Sequence, residues 1–237
     1  MIDRILLQKE AETLGIMLDE TALQRFDGYA ERLVEVNAHL NLTAITEPTQ
    51  IVYKHYLDSL SILRYVPIAQ NARCIDVGTG AGFPGSALLI ARPDLRMTLL
   101  DGTGKKLSFI HDTLEHVGLS AELLHMRAEE AGQKPELREQ FDLVTARAVA
   151  NLRELCEYCL PFLKIGGTFV AMKSVKSEEE IAEAAGAVRL LGGRIEAVRS
   201  FTLPETGERT LISLKKISHT PPKYPRPSAK IAKQPLR

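Results

Sequence analysis

The amino-acid sequence contains no tryptophan, only three cysteines and no net charge at neutral pH. Cys74, Cys156 and Cys159 are too few for a disulfide framework, and they cannot form a four-thiolate zinc site within one chain. Cys156 and Cys159 have the spacing of a redox or zinc motif, but two small apolar residues one helical turn apart have the same spacing. We expect three buried thiols and no metal.

Long apolar runs are also missing. No stretch approaches the roughly 20 residues that a membrane helix requires, and residues 1–10 contain acidic side chains where a secretion signal has its apolar core. Hydrophobic residues make up 45% and charged residues 25% of the 237 residues, which is typical of a globular protein. We expect a cytoplasmic protein with no membrane partner, built as one large α/β domain or as one domain with an appendage.

The neutral total conceals an uneven distribution of charge. From Lys215 to Arg237 the chain has seven basic residues and no acidic one, so this segment has a net charge of +7 and the rest of the chain a net charge of −7. Such a basic arm is typical of proteins that bind an anionic partner. The segment beyond Ser218 also has five prolines and few apolar residues, so we predict an extended or disordered tail without a helix.

The hydrophobic pattern predicts the fold. Residues 1–65 have apolar positions at helical spacing, with start signals at Asp19 and around Thr46 to Pro48. The following runs alternate between strand and helix, which predicts parallel strands joined by right-handed crossovers. Only a short loop separates the last two strands, which predicts an antiparallel hairpin. The predicted strands are Cys74–Val77, Met97–Leu100, Leu123–Met126, Phe141–Thr145, Thr168–Met172, Arg194–Phe201 and Thr210–Lys216, and the predicted helices between them are Pro84–Ala91, Lys105–Val117, Leu152–Leu163 and Glu178–Leu191.

This order of elements divides the chain into three parts. We predict an N-terminal helical extension at residues 1–65, packed on an α/β core at residues 66–217, and a basic, proline-rich tail at residues 218–237. A mostly parallel, Rossmann-like sheet of seven strands with a C-terminal antiparallel hairpin is the layout of class I S-adenosylmethionine-dependent methyltransferases.

A glycine-rich turn follows the first predicted strand and opens the first helix of the core. In open α/β sheets ligands bind at this turn, and glycine lets the backbone approach them closely. A dinucleotide site requires a third glycine at position 83, where this sequence has Phe83. The shorter pattern favours a ligand without phosphates, such as S-adenosylmethionine. The turn reads Asp76-Val77-Gly78-Thr79-Gly80-Ala81-Gly82-Phe83-Pro84-Gly85.

Polar residues follow the next three strands at the same edge of the predicted sheet. Asp101 ends the second strand, where an acidic residue accepts the ribose hydroxyls of a nucleoside in dehydrogenases and methyltransferases alike. After the third strand, the backbone amide of Glu129 is suited to an adenine ring nitrogen, although acidic residues also simply favour a helix start. Arg147 after the fourth strand has several possible roles: contact with guanine, with a phosphate or with the cofactor carboxylate, or an ion pair within the protein.

Two motifs of other methyltransferases are absent from the sequence. The fourth strand is not followed by the Asn/Asp-Pro-Pro-aromatic motif of many enzymes that methylate exocyclic amines, and there is no Pro-Cys nucleophile of the kind used on carbon 5 of pyrimidines. Guanine N7 needs neither, because it has a free lone pair and no proton to lose. Catalysis then consists of aligning N7, the methyl carbon and the sulfur.

Further candidates for substrate contact lie at the fifth strand and in the tail. Lys173 is suited to phosphate or substrate, or it is a surface lysine. Lysine and arginine of the tail can neutralise phosphates, and its tyrosine can stack on a base, which favours nucleic acid over a merely solvated tail. His55 and Asp58 are more typical of a helix packed on the sheet than of catalysis. The candidates in the tail are Lys223, Tyr224 and Arg226.

Together these residues resemble the bacterial ribosomal RNA small-subunit methyltransferase G family, also called glucose-inhibited division protein B. The resemblance extends from about residue 20 to the end of the chain. The glycine loop alone is not specific, whereas its combination with the other motifs is. Those motifs are Asn41-Leu42-Thr43-Ala44-Ile45, His55-x-x-Asp58-Ser59, Thr145-Ala146-Arg147-Ala148, Ala171-x-Lys173 and Tyr224-Pro225-Arg226.

The resemblance implies methyl transfer from S-adenosylmethionine to N7 of one guanine in 16S rRNA, either naked or within the small ribosomal subunit. It implies no assigned catalytic residue, and low-level streptomycin resistance when the gene is lost. The sequence Asp101-Gly102-Thr103 departs from the family's more usual Asp-Ser-Leu, but contacts there run through the backbone. We further expect a monomer and no DNA partner. The implied cofactor contacts are Gly78, Phe83, Asp101, Gly102, Thr103, Ala128, Glu129 and Arg147.

Three alternatives remain open at this point. A methyltransferase acting on another RNA, on a protein or on a small molecule would be identified by substrate competition. A nicotinamide-dependent oxidoreductase is disfavoured by Phe83. A non-catalytic RNA-binding or ribosome-assembly module would bind rRNA without methyl transfer.

Overall fold

A central sheet organises the computed structural model, which describes residues 1–147, 150–174 and 178–236. The strands are β1 Arg73–Val77, β2 Arg96–Asp101, β3 Glu122–His125, β4 Phe141–Arg147, β5 Leu163–Lys173, β6 Gly193–Leu203 and β7 Gly207–Lys216. They form one seven-stranded sheet in the order β3-β2-β1-β4-β5-β7-β6. The first five strands pair in parallel, and β7 pairs antiparallel with both β5 and β6. The predicted α/β fold with a C-terminal hairpin is confirmed.

Helices cover the sheet and precede it. They are α1 Arg4–Thr13, α2 Glu20–Leu40, α3 Pro48–Ile51, α4 Asp58–Tyr65, α5 Gly85–Ala91, α6 Gly104–His116, α7 Ala128–Ala131, α8 Leu152–Cys159, α9 Glu178–Leu190 and α10 Ser228–Lys233. A π-helical turn at Val52–Leu57 joins α3 to α4, and a 3-10 turn at Leu160–Phe162 follows α8. Among the described residues, every helix is too short or too polar to cross a lipid bilayer.

The central strands are buried on both faces, which explains their sequence signal. In β1, Cys74 belongs to the hydrophobic cluster on one face of the sheet, whereas Ile75 and Val77 belong to the cluster on the other. Strands of this kind have near-continuous apolar runs and not an alternating pattern. The parallel strands therefore direct their carboxyl ends, and the turns that follow them, to one edge of the sheet.

The N-terminal helices join the cluster on one face of the sheet. Asp19 caps α2 by accepting the amide of Ala22 at 2.7 Å, and the buried side chains of α2 include Phe26 and Tyr29. The next helical segment begins at Pro48, with Glu47 as its cap. Both start signals lie where the sequence predicted helices, because caps are local chemistry.

Most predicted elements agree with the structure to within three residues, whereas one helix and one strand differ by more. The helix predicted for Leu152–Leu163 ends at Cys159, because Pro161 has no amide hydrogen and occupies the 3-10 turn. Strand β5 then begins at Leu163, earlier than predicted, and includes Gly166 at a φ of 87°. Gly166 and Gly167, which precede the predicted start of the strand at Thr168, therefore lie inside it.

The prediction of an extended tail without a helix is wrong. After Thr220, which is buried, the chain packs Tyr224 on the protein and then forms α10, with Ile231 fully buried. Pro227 stands immediately before the helix, where proline is tolerated, and the next proline follows after the helix has ended. A few well-placed apolar side chains are enough to dock this segment on an existing core. Arg237 lies outside the described residues.

Candidate cofactor and substrate cavities

The glycine-rich turn after β1 places three glycines in the left-handed region. The φ angles of Gly78, Gly80 and Gly82 are 72°, 60° and 94°, which glycine adopts without steric cost. At Gly82 a side chain is also blocked, because a Cβ there would lie 2.2 Å from the hydroxyl oxygen of Tyr29. The turn is therefore packed tightly against α2, and Gly78 lies at the edge of a cavity.

Asp76, the acidic residue of the same motif, is buried under the turn. Its Oδ2 accepts the backbone amide of Gly85 at 3.1 Å, and its Oδ1 accepts the hydroxyl of Thr145 at 2.8 Å. Burial raises the pKa of Asp76, and these donors oppose that shift. Asp76 therefore joins the start of α5 to β4 and sets the shape of the turn.

Asp101 ends β2 beside the turn. Its Oδ2 accepts the amide of Gly80 at 3.0 Å, and its Oδ1 accepts the amide of Thr103 at 2.8 Å. Each carboxylate oxygen has two acceptor sites, so both retain capacity for a further donor. Asp101 lies in the cavity wall, where that donor can be a ribose hydroxyl.

The first cavity opens at the carboxyl ends of the strands and has a volume of about 460 Å³. This size is within the usual range for a small-molecule site. The turns after β1, β2 and β3 form one side, and α8 forms the other. The lining residues are Val77, Gly78, Leu100, Asp101, Gly102, Thr103, Lys106, Met126, Arg127, Ala128, Glu129, Arg147, Ala150, Glu154, Leu155 and Tyr158.

The structure brings seven of the eight expected cofactor residues to this cavity; the exception is Phe83. Phe83 is buried, and the guanidinium carbon of Arg147 lies 5.4 Å from the centre of its ring. Arg147 itself lines the cavity. Phe83 therefore supports a lining residue, and its expected contact with the cofactor stays a prediction.

Sequence reasoning missed the wall contributed by α8. Glu154, Leu155 and Tyr158 line the cavity, and they lie on one face of the helix because residues three and four apart are neighbours there. The same spacing was present in the predicted helix, so the helical period was a usable signal. Lys106 and Arg127 were also missed, and nothing in their local sequence distinguishes them from surface cations.

Arg147 at the end of β4 connects the first cavity to the helical segment that contains the π turn. Its Nη1 donates to the backbone carbonyl of Lys54 at 3.0 Å and to Oδ2 of Asp58 at 3.3 Å. The other oxygen of Asp58 lies 3.2 Å from Nε of Arg209. Burial raises the pKa of Asp58, and the two guanidinium groups oppose that shift. Ala148 and Val149, which follow Arg147, lie outside the described residues.

His55 is held between Arg147 and Thr43. Nη2 of Arg147 lies 3.2 Å from Nδ1 of His55, and Nε2 lies 3.1 Å from the hydroxyl oxygen of Thr43. A guanidinium can only donate, so Nδ1 is the acceptor and the ring hydrogen is on Nε2. Burial, assisted by the charge of Arg147, lowers the pKa of His55 to about 3. The imidazole is therefore neutral at physiological pH.

A second cavity, of about 540 Å³, adjoins the first and shares Arg147 and Ala150 with it. Among the described residues its wall is rich in cationic side chains, and Asp58 is the one carboxylate that lines it. The shared residues form the boundary between the two cavities. The other lining residues are Ile45, Lys54, His55, Asp58, Met172, Lys173, Ser174 and Arg209.

Lys173 lines the second cavity with its ammonium group already engaged. The nitrogen donates to the carbonyl oxygen of Ala150 at 2.8 Å and to Oε1 of Glu180 at 2.6 Å. It therefore fixes Ala150 at the boundary of the two cavities. Two of its three donors therefore serve the protein.

The three candidates from the tail lie close together, with Lys223 Nζ 5.3 Å and the guanidinium carbon of Arg226 5.9 Å from the ring centre of Tyr224, but they do not form an open surface. Tyr224 is buried in a hydrophobic cluster, and Arg226 forms a two-pronged ion pair with Glu157. This placement corrects the expectation for both residues, because a buried ring cannot stack on a base and this guanidinium is committed to an internal carboxylate. Lys223 is exposed.

Metal chemistry has no visible site in the described part of the chain. No group of three or more His, Cys, Asp or Glu side chains is placed there to hold a metal ion. Cys74, Cys156 and Cys159 are free and buried, as expected.

Comparison with known proteins agrees with this geometry. Residues 22–212 match the model of the family described as GidB, rRNA small subunit methyltransferase G. A protein named ribosomal RNA small subunit methyltransferase G from Pelotomaculum thermopropionicum is 44% identical over 232 residues, which cover 97% of each chain. One of the same name from Lactobacillus delbrueckii subsp. bulgaricus is 45% identical, with 95% of this chain and 98% of that one covered.

Solved structures support the fold. A SAM-dependent O-methyltransferase from Thermotoga maritima superimposes with a TM-score of 0.52 at 16% identity, covering 80% of this chain and 72% of that one. At this identity the likeness concerns the fold alone. The match of the family model over most of the chain, together with the near full-length relatives, is decisive for the family. The chain belongs to the GidB family of rRNA small subunit methyltransferases G.

Proposed function

We propose that this enzyme transfers a methyl group from S-adenosylmethionine to N7 of a guanine in 16S rRNA, with the cofactor in the first cavity and the guanine in the second. The observation that carries the proposal is the boundary between the two cavities, where Arg147 and Ala150 belong to both walls. A methyl donor and its acceptor must meet at such a boundary. The proposal places the protein in the cytoplasm, as a monomer that acts on RNA and not on DNA.

The donor set of the first cavity fits S-adenosylmethionine. Asp101 offers carboxylate oxygens for the ribose hydroxyls. The first backbone amides of α7, at Ala128 and Glu129, have no acceptor within the helix and suit the nitrogens of adenine. Gly78 lets the backbone approach the ligand closely. When bound, the cofactor supplies a methyl group on a positively charged sulfur.

The second cavity fits guanine better than adenine. Guanine presents two acceptors side by side, N7 and O6, where adenine presents N7 beside an amino group. The ammonium of Lys54 lines the cavity and donates to the amide oxygen of Gln50 at 3.2 Å, which uses one of its three donors. We assign Lys54 to O6. An adenine amino group at that position would face a second donor and be rejected.

The titratable side chains of the second cavity argue for N7 as the target atom. A methylated amine has to lose a proton, whereas N7 has none to lose. His55 is a poor proton acceptor, because its pKa is lowered to about 3 and its Nδ1 already accepts from Arg147. Both oxygens of Asp58 face guanidinium groups. In this proposal the site holds N7 in line with the methyl carbon and the sulfur, and the lone pair of N7 stays free. Direct attack by N7 requires both.

Release of the product also fits this lining. Methylation at N7 leaves the base positively charged. The side chains of Lys54, Arg147 and Arg209 then face a cation, and like charges at short range repel. The same residues that attract the nucleotide therefore favour its departure after the reaction.

The proposal is tested by methyl transfer from labelled S-adenosylmethionine to 16S rRNA and to small ribosomal subunits from a strain that lacks the gene. Mass spectrometry of the nucleosides should find the label in 7-methylguanosine. Label in another nucleoside would refute N7 of guanine as the target. Absence of label from both substrates, despite measured cofactor binding, would favour another substrate or an assembly module.

The guanine site is tested separately with Lys54→Met. We expect its kcat/KM for rRNA to fall about 10- to 100-fold, because a charged hydrogen bond to the base is lost, while its cofactor Kd stays unchanged. Lys9→Met is the matched control, since Lys9 is exposed on α1. Equal losses of activity in the two variants would mean that Lys54 does not contact the guanine.

A further inference from the structure

The C-terminal segment that the sequence suggested was a free tail is bound to the rest of the chain. We call residues 218–236 the C-terminal clasp. Its buried residues Thr220, Tyr224 and Ile231 attach it at several points along its length. Polar contacts then join it to two different elements, the segment after α7 and the helix α8.

On one side, the clasp binds the segment that follows α7. The guanidinium of Arg138 donates to the carbonyl oxygens of Thr220 and Tyr224, both at 2.7 Å. The side-chain amide of Gln133 donates to the carbonyl oxygen of Pro225 at 2.8 Å. Two side chains and three backbone carbonyl groups are thus paired across this contact, which fixes the clasp relative to the end of α7.

On the other side, Arg226 binds Glu157 of α8. Its Nε and Nη2 donate to Oε1 and Oε2 of Glu157 at 2.8 Å and 2.7 Å, and its backbone amide donates to Oε1 at 2.9 Å. The carboxylate of Glu157 is fully buried (0% exposed). A buried carboxylate is tolerated only while a cation and hydrogen bonds compensate it. The position of α8 therefore depends on the clasp.

The clasp therefore contacts α8 and, through Gly132 and the residues that follow it, the end of α7, and both helices contribute to the wall of the first cavity. Ala128 and Glu129 at the start of α7 form one wall, and Leu155 and Tyr158 on α8 form the wall that faces it. Glu157 lies next to Tyr158 in the chain, and it turns toward the clasp while Tyr158 turns toward the cavity. The clasp thus joins the segment after α7 to α8, without lining the cavity itself.

We infer that the C-terminal clasp fixes the distance between these two walls, and that Arg226 and Glu157 are positioning residues for the cofactor. Neither residue lines the cavity, so their effect is transmitted through Tyr158 and the start of α7. Without Arg226, the carboxylate of Glu157 has to take up a proton or to reach water, and either change alters the contacts that hold α8. The inference rests on the proposed function in one respect, that the first cavity holds S-adenosylmethionine.

The test compares Arg226→Ala with Arg153→Ala in the full-length protein. Arg153 is a matched control, because it also lies at α8 in an ion pair, with Glu183 of α9 at 3.0 Å, and does not involve the clasp. Calorimetric titration with S-adenosylhomocysteine gives Kd at a temperature at which circular dichroism shows equal helix content. We expect Arg226→Ala to raise Kd at least about 10-fold and Arg153→Ala to leave it within about twofold.

Steady-state kinetics separate positioning from general weakening of the fold. We expect Arg226→Ala to raise KM for S-adenosylmethionine and to leave KM for the rRNA substrate within about twofold. Arg226→Lys keeps the charge but not the two-pronged hydrogen bond, so we expect an intermediate Kd. That variant decides the question if Arg226→Ala does not fold.

Two results would overturn the inference in distinguishable ways. A lower melting temperature with an unchanged Kd, in Arg226→Ala or in Arg226→Lys if only that variant folds, would make the clasp purely structural. Failure of the unaltered protein to bind S-adenosylhomocysteine would overturn the proposed function, and this inference with it.

Discussion

The imidazole ring of His55 lies flat against the ring of Phe83, with 4.4 Å between the ring centres and 8° between their planes. His55 belongs to the π-helical turn, and Phe83 to the glycine-rich turn. The stacked pair therefore joins the wall of the second cavity to the loop that borders the first. The hydrogen bond from Arg147 to Nδ1 then holds the imidazole in one orientation.

This burial makes stability depend on pH through His55. Its pKa in the folded protein is about 3, below the ordinary value of 6.5, so between these values the unfolded chain binds the proton and the folded one does not. The free energy of unfolding therefore falls as pH decreases through this window. Between about pH 7.5 and about pH 5 the loss is about 2 kcal/mol for this one group.

Denaturant titrations of the unaltered protein and of His55→Asn at the two pH values measure this effect. The variant lacks the titrating group, so its loss of stability over the same interval should be about 2 kcal/mol smaller. Identical pH dependence in both proteins would mean that folding does not lower the pKa of His55.

The glycine-rich turn predicts that two glycine-to-alanine changes destabilise the protein to different extents. At Gly82, with a φ of 94°, a Cβ would lie 2.2 Å from the hydroxyl oxygen of the buried Tyr29. At Gly80, with a φ of 60°, a Cβ would meet nothing within 4 Å. We expect Gly80→Ala to cost about 1 kcal/mol, from the left-handed backbone alone, and Gly82→Ala at least about 2–3 kcal/mol, since overpacking is added. Thermal unfolding of both variants checks the order; equal destabilisation would contradict it.

The sequence predicted the elements whose cause is local. The apolar runs of the central strands, the cap at Asp19 and the glycines after β1 all express short-range chemistry. The ion pair between Arg147 and Asp58 joins residues 89 positions apart. The sequence indicated only that an acidic partner for Arg147 was one of several possibilities. The stacking of His55 on Phe83 depends on a π-helical turn, which the spacing of residues in the sequence does not predict. Such contacts exist only once the helices have packed on the sheet.

The C-terminal segment is a second case in which local sequence was not enough to predict the structure. Its prolines and charges were typical of a free tail, and the composition of residues 218–237 gave no other indication. Its ordered structure depends on a contact with another part of the same chain, because the buried carboxylate of Glu157 on α8 requires the cation of Arg226. Composition describes a segment by itself and cannot report a complementary site elsewhere in the chain.

Arg147 should not be replaceable by lysine. Its guanidinium donates to three acceptors, the carbonyl of Lys54, the carboxylate of Asp58 and Nδ1 of His55, and an ammonium group cannot reproduce that fork. We expect Arg147→Lys to lower kcat/KM for rRNA by about 10- to 100-fold, since the boundary between the cavities loses its shape.

The control for that variant is Arg92→Lys. Arg92 forms a two-pronged pair with Asp94, at 2.7 Å and 2.8 Å, in the loop before β2, at the opposite edge of the sheet. Its replacement removes a fork of the same kind from a site remote from both cavities. Comparable loss of activity in the two variants would mean that Arg147 acts only through the stability of the fold.

Asp101→Asn should weaken cofactor binding. In the unaltered protein the two carboxylate oxygens accept the amides of Gly80 and Thr103. The asparagine side chain has one oxygen and one NH₂ group, so one of the two amides loses its acceptor and faces a donor instead. The ribose hydroxyls also lose a charged acceptor. Together these losses amount to about 2 kcal/mol, or a roughly 30-fold higher Kd.

Calorimetric titration with S-adenosylhomocysteine measures that Kd, with Asp112→Asn as the control. Asp112 is an exposed acid on α6, so its variant carries the same change of charge at a distance from the cavity. If only Asp101→Asn binds more weakly, the ribose lies at the end of β2, as in other nucleoside-binding sheets. If both variants bind as the unaltered protein does, the ribose lies elsewhere. Asp101 then only stabilises the glycine-rich turn. The nucleoside would instead be expected on the side of the cavity formed by α8 and Tyr158.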